Sequence, residues 1–196
     1  MDRTNFDNRF SYFSLSEIIE NSSKTKVRKL LKSFKCEKNL DLQDFLHKQA
    51  FTFEINFRSR TYIYIDNIEK NVVAYFTIAI KTLETENLST ETILLLDGHN
   101  DKVKSIPCFL IGQLGKSDLY KDSKIGKFIL EDAIDKIDSS QTLLGGRFIL
   151  LDSVNIPKVI SFYESNSFFA IDNSPDLESI RMIRPYFTFD SEASLE

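Results

Sequence analysis

Three lysines and one glycine define the chemistry most readily available to this sequence. In "LYKDSKIGKFIL" (residues 119–130), Lys121, Lys124 and Lys127 crowd a polar run in which Gly126 stands where an apolar-periodic helix begins. The first amides of a helix have no intrahelical acceptor, and the aligned peptide dipoles add partial positive charge there. Lysines beside such a terminus make a site suited to an anion, above all a phosphate. The plainer alternative is a solvated turn ahead of an ordinary helix.

The elements that would position this stretch follow from periodicity. Gly126, Ile129, Leu130, Ala133, Ile134 and Ile137 recur at helical spacing, so this helix packs one face on a sheet with Gly126 at its first turn. "IPCFLIGQLG" (106–115) reads as the buried strand leading in, and "RFILLDSV" (147–154) as the strand after it. "NIPKVISFYESN" (155–166) reads as a helix with Asn155 able to cap and Pro157 in the first turn. Upstream, "TYIYID" (61–66) and "VVAYFTIAIKTL" (72–83) form a hairpin across "NIEKN". "LSTETILLLDG" (88–98) reads as a short helix ended by Gly98, with a strand as the alternative. "FFAID" (168–172) and "SIRMIRPYF" (179–187) close as strands. The first third reads helical: Val27, Leu30, Leu31 and Phe34 make one stripe, and Asp41 can cap a second helix carrying Leu42, Phe45, Leu46, Ala50 and Phe53. Helices, a hairpin and then alternating strands and helices describe an α/β chain with a mixed sheet.

Composition narrows the function classes. The 196 residues suit one domain, or one domain with an extension, and 42% hydrophobic residues are ample for a core. No apolar run reaches the roughly 18 residues of a membrane span, and "MDRTNFDNRF" has no apolar centre like that of a signal peptide. Cys36 and Cys108 lie far apart, and with only His47 and His99 beside them no ordinary zinc site is expected. These features predict a cytoplasmic protein with reduced thiols and no metal. The closing Leu195–Glu196 could be an expression-vector remnant.

Despite a net charge of −4, residues 24–38 concentrate Lys24, Lys26, Arg28, Lys29, Lys32, Lys35 and Lys38 against Glu37 alone. This is either a solvated helix face or a contact for RNA or an acidic partner. The acid-rich segment from residue 171 reads as solvated.

Two segments carry a family resemblance. "GQLGKSDLYKDSKIGKFIL" resembles the acetyl-CoA-binding segment of the GNAT acetyltransferase superfamily, whose loop is written R/Q-x-x-G-x-G/A. The pattern starts at Lys121, which replaces the usual Arg or Gln, and ends on Gly126. Lys124 replaces the first glycine, and Asp122 adds a carboxylate. "NIPKVISFYESNSF" (155–168) is similar to the family's "N…A…FYEKxGF" helix, with Phe162, Tyr163 and Phe168 in place and Ser167 where glycine is usual. The Asn-to-Tyr spacing is one residue longer than the commonest form. "DLQDFLHKQA" (41–50) and the hairpin after it resemble a GNAT subgroup that includes the tRNA-acetylating toxins of toxin–antitoxin operons. The resemblance covers about residues 40–187.

The resemblance implies a GNAT fold of the α/β (α+β) class: a mixed central sheet, flanking helices and a splayed strand pair at the cofactor site. It implies a helical N-terminal extension over 1–40, an acetyltransferase domain over 41–190 and a tail over 191–196. It implies acetyl-CoA as acyl donor, its pyrophosphate held by Lys121, Asp122, Ser123, Lys124, Ile125, Gly126 and Lys127. Its pantetheine arm would pair with the main chain of Leu114, Gly115 and Lys116, and Asn155 would lie near the cofactor. Tyr163 would serve the leaving thiolate, unless it is merely core. Glu54 and Glu69 are among the candidate general bases. The acceptor would be an amine, with aminoacyl-tRNA one candidate, contacted through residues 24–38. An antitoxin partner and a homodimer are further implications. The altered loop motivates the alternative of a non-catalytic CoA-binding or protein-interaction module.

Overall fold

The computed structural model describes residues 1–171 and 178–187; the tail 191–196 and much of the acid-rich segment lie outside them. The helices are α1 (Arg3–Arg9), α2 (Leu15–Glu20), α3 (Lys24–Leu31), α4 (Leu40–Asp44), α5 (Ala50–Ile55), α6 (Thr90–Asp97), α7 (Gly126–Leu144) and α8 (Pro157–Glu164). The strands are β1 (Phe10–Ser14), β2 (Arg60–Asp66), β3 (Val72–Glu84), β4 (Ser105–Lys116), β5 (Phe148–Val154), β6 (Phe169–Ala170) and β7 (Ser179–Pro185). They form a seven-stranded mixed sheet in the order β1-β2-β3-β4-β5-β7-β6. The pairs β1–β2, β2–β3, β5–β7 and β6–β7 are antiparallel.

The chain divides into two compact units, Met1–Ala79 with Ile111–Asp138, and Ile80–Leu110 with Ser139–Glu196. Residues 1–40 lie wholly in the first. Its core gathers Leu15, Val27, Leu31, Phe34, Phe45, Leu46, Ala50, Ile63, Val72 and Tyr75, so most of the stripe expected around residues 27–34 and of the apolar face expected from residue 42 is buried here. The first third is not wholly helical, however. Phe10–Ser14 form a strand that pairs with β2 from Phe10↔Asp66 to Ser14↔Tyr62. Ser14 then ends the strand and opens α2 through a capping box with Glu17.

Asn39, not Asp41, caps α4: its side-chain oxygen accepts from the Leu42 amide at 3.3 Å. Asp41 sits in the first turn, where its charge still favours the helix dipole. Between α4 and α5 the helix widens into a π-helical turn, Phe45–Gln49. The β2–β3 hairpin turns through an aspartate loop, with Asp66 Oδ1 accepting the amides of Ile68 (2.8 Å) and Glu69 (3.1 Å).

The second unit has its own core of Leu83, Leu96, Ile106, Cys108, Phe148, Leu150 and Ile183. Residues 90–97 are helical and the strand alternative fails. Gly98 ends α6 in the left-handed region at φ +83°. A side chain there would run into the Arg147 guanidinium, because Arg147 donates to the Leu96 carbonyl at 2.8 Å. Among the described residues no helix is long and apolar enough to cross a membrane, and none form a metal-binding cluster.

Candidate active site

In the first unit, β4 delivers Leu114, Gly115 and Lys116 and then gives way to a single 3-10 turn, Asp118–Tyr120. Gly115 is buried under side chains of α4 and of the segment after α3: a Cβ there would stand 3.1 Å from Leu42 Cδ1 and 3.4 Å from Phe34 Cζ. The turn is tied to the chain after α3. The Ser117 hydroxyl accepts the Lys35 amide at 3.3 Å, Asp118 donates its amide to Lys35 at 2.7 Å, and the Asp118 carboxylate accepts the Glu37 amide at 2.7 Å.

The loop that follows is braced from within. Lys116 Nζ donates to the carbonyl oxygens of Lys121 (2.9 Å) and Ser123 (2.6 Å). The Ser123 amide and hydroxyl both donate to the Tyr120 carbonyl. Ile125 is fully buried and anchors the loop, and its carbonyl accepts the Ile129 amide at 3.2 Å. α7 therefore begins at Gly126, and its buried face is Ile129, Leu130, Ala133, Ile134 and Ile137, the stripe expected from the sequence. Lys121, Asp122, Lys124 and Lys127 are exposed, while Ser123 and Gly126 are half-buried. Lys127 also reaches Glu131 at 3.6 Å, an exposed pair of little energetic weight. Three lysines thus face two acids around the helix start. The Lys121 and Ser123 amides are already donated to the Asp118 and Tyr120 carbonyls, so the first-turn amides of α7 and the exposed lysines are the groups left for an anion, and the residues present fit a pyrophosphate. Asp122 works against that fit, but its exposure allows it to turn toward solvent.

Two features of this region were not apparent in the sequence. One is the Lys116 side chain as a brace, since only its main chain was expected to act. The other is a buried carboxylate under the loop: Asp66 accepts from Tyr120 Oη at 3.0 Å and from the Arg9 guanidinium at 3.3 Å. Burial alone would raise this carboxyl, yet the Ile68 and Glu69 amides, Tyr120 and Arg9 together hold it below the usual range. An aspartate closing a strand ahead of a polar turn was the available signal. Of the candidate bases, Glu54 is buried and engaged by Arg60 (2.9 Å) and the Thr61 amide (2.8 Å), latching α5 to β2. Glu69 is exposed in the hairpin turn.

In the second unit, α8 carries Tyr163, 8% exposed, with its ring edge-on to Phe162 (5.2 Å) and Phe168 (5.7 Å). Burial pushes its phenol up to about 12. Pro157 occupies the first turn of α8, but Asn155 is not its cap; Ile156 holds that position without a side-chain bond. Asn155 instead donates its amide to the Glu178 carbonyl at 3.1 Å. Ser167, standing where the motif prefers glycine, adopts φ +65°. Phe168 then folds back, its amide donating to the Tyr163 carbonyl at 3.1 Å. That turn explains the preference for glycine, because only glycine takes such a φ without strain.

The sheet order, the β4–loop–α7 passage and the flanking helices are those of the GNAT fold. AtaT, solved in complex with acetyl-methionyl-tRNAfMet, superposes with a TM-score of 0.66 at 19% identity over 90% of this chain and 94% of AtaT. A tyrosine-to-phenylalanine mutant of KacT gives 0.68 at 12% identity over 90% and 95%. The AtaTR complex bound with acetyl-CoA gives 0.64 at 17% over 90% and 94%. At these identities the likeness is one of fold. No protein-family model matches the chain, nor does any curated protein match it in sequence.

Proposed function

We propose that the chain is an acetyl-CoA-dependent N-acetyltransferase whose acceptor is the α-amino group of an aminoacyl-tRNA. The observation that carries the cofactor reading is the loop between β4 and α7, its carbonyls held by Lys116 and its lysines exposed at a helix start. There the first-turn amides of α7 and the lysines of residues 121–127 hold the pyrophosphate, and the main chain of Leu114–Lys116 aligns the pantetheine arm. Held beside the thioester, the amine nitrogen attacks the carbonyl carbon. The C–S bond breaks and the ammonium proton leaves to water. Most of the rate comes from that positioning.

Tyr163 meets the charge that develops on sulfur. With its phenol raised to about 12 it keeps its proton across the neutral range. It therefore acts as a steady O–H donor to the leaving thiolate rather than as a strong acid. Asn155 is a neighbour of the cofactor in this reading and not a proton carrier.

The acceptor class rests on the neighbours and on charge. AtaT has been captured with an acetylated aminoacyl-tRNA. On this chain all seven basic residues from Lys24 to Lys38 are exposed, and Lys24 and Arg28 both lie over the Phe51 ring, at 5.4 and 5.7 Å. Cations interleaved with aromatic rings suit phosphates and unstacked bases. By the same analogy with the AtaT complexes containing AtaR, an antitoxin is the expected protein partner.

Calorimetry with acetyl-CoA, followed by thiol release with aminoacyl-tRNA and with small amines, tests the reading. Turnover only with aminoacyl-tRNA supports it. Binding without turnover would favour the non-catalytic module, for which the exposed Asp122 and the Lys124 replacement speak.

A further inference from the structure

Helix α5 ends in a turn suited to glycine. The Phe57 amide donates to the Glu54 carbonyl at 3.1 Å and the Arg58 amide to the Phe53 carbonyl at 2.9 Å. This pair of bonds closes a helix through one residue in the left-handed region. Here that residue is Phe57, at φ +56°. Glycine takes such a φ without strain, and a residue with a bulky side chain does not. Burial does not offset the strain either. Phe57 is 79% exposed, so most of its apolar surface stays in water.

The surroundings of this ring are cationic. The Arg60 guanidinium lies over it, 5.1 Å from its centre, and is held there by Glu54 at 2.9 Å. Glu54 is the one acid of α5, and it is buried, so its charge meets Arg60 rather than solvent. Arg58 is exposed and lies over the Phe53 ring at 4.5 Å. Residues 55–61 include two arginines and no acid. Earlier in α5, Lys24 and Arg28 cover Phe51. Each phenylalanine of this helix and its closing turn thus carries a cation. Phe51 and Phe53 are half-buried, and Phe57 is the exposed one.

We propose that Phe57 is a stacking platform for an unpaired base of the acceptor RNA, with Arg58 on the adjoining phosphate. The proposal rests on the aminoacyl-tRNA reading and names a surface for it outside residues 24–38. A ring covered on one side by a fixed guanidinium offers its open face to another flat group, and every base has such a face. The charge around the ring selects the partner. Arginines without exposed acids complement a phosphate backbone, and Arg both stacks and pairs with phosphate. A strained, exposed aromatic residue is a poor choice for folding alone, and its position is accounted for by a ligand that covers it.

The test measures binding by the whole protein without acetyl-CoA, which separates it from transfer chemistry. The probes are deacylated tRNA and a single-stranded pentaribonucleotide with 2-aminopurine at its centre, whose fluorescence falls when that base stacks. The wild type should quench the pentanucleotide. Phe57→Gly relieves φ +56° and removes the ring. It should raise the urea midpoint, yet bind tRNA about tenfold more weakly with the salt slope unchanged. Phe57→Trp should bind at least as tightly as the wild type. Arg58→Gln should weaken binding and lower the salt slope by about one. Equal tRNA affinity of wild type and Phe57→Gly would overturn the platform while leaving the acceptor reading in place. A lowered urea midpoint in Phe57→Gly would make the ring part of the fold and overturn the platform too, as would Phe57→Trp binding as weakly as Phe57→Gly. Failure of the wild type to bind tRNA would overturn both readings. Self-association of the protein that Phe57→Gly abolishes would assign the ring to a second copy of this chain and overturn the RNA platform.

Discussion

Replacing Lys116 by methionine isolates the brace beneath the loop. Methionine keeps the length and the apolar stem but removes the ammonium that holds the Lys121 and Ser123 carbonyls at 2.9 and 2.6 Å. Hydrogen bonds from a charged donor contribute about 1.5–3 kcal/mol each when buried, and one of these is part-buried while the other is exposed. A combined loss of about 2 kcal/mol in loop order follows, equivalent to about thirtyfold in acetyl-CoA affinity if the loop must be ordered to bind. Lys124→Met is the control. It removes an equal charge that is exposed and should cost only a few-fold, with the difference vanishing at high salt. Titration calorimetry at low and high ionic strength separates the two variants. Binding by Lys116→Met within twofold of the wild type, or a loss that salt abolishes as it does for Lys124→Met, would refute the brace.

Tyr163→Phe should lower turnover by about 10²–10⁴-fold with acetyl-CoA affinity unchanged; a silent substitution would return Tyr163 to the core. The same pair of proteins carries a pH signature. The folded phenol titrates near 12 against an ordinary 10, so the folded state holds its proton more tightly. The associated stability is complete below pH 10 and is lost as pH rises toward 12, amounting to about 2–3 kcal/mol. The wild-type denaturant midpoint should therefore fall relative to that of the Phe variant over that range, and a constant difference would contradict it. Ser167→Gly relieves φ +65° and should stabilise by about 1 kcal/mol, read as a raised urea midpoint. Reversing Lys24, Arg28 and Lys32 to glutamate should weaken tRNA binding and flatten its salt dependence while leaving acetyl-CoA affinity intact; equal tRNA affinity at low salt would leave that helix as a solvated face.

Much of this fold was legible because its signals are local and redundant. The α7 stripe repeats over three turns, the β2–β3 hairpin alternates around a polar turn, and Gly98 marks a helix end that requires positive φ. The first twenty residues were opaque because α1, β1 and α2 are each too short to establish a period. The five-residue β1 reads as strand only once β2 is beside it. The caps went astray where two side chains competed. Asn39 precedes Asp41 by two residues and reaches the Leu42 amide, and Pro157 fixes the start of α8 two residues beyond Asn155. The lysine pattern of the candidate site was visible, but the brace was not, since nothing in the spacing of Lys116 from Ser123 says that the chain folds back between them. Likewise, the burial of Glu54 against Arg60 and Thr61 depends on how α5 meets β2, which is a tertiary matter.

The most direct measurement of the central claim is release of free coenzyme A thiol when the purified protein is mixed with acetyl-CoA and an aminoacyl-tRNA, with deacylated tRNA as the blank. Thiol release should require the aminoacyl group, with one acetyl group appearing on its α-amine for each thiol released. Acetyl-CoA binding with no thiol release from aminoacyl-tRNA or from any small amine would contradict it.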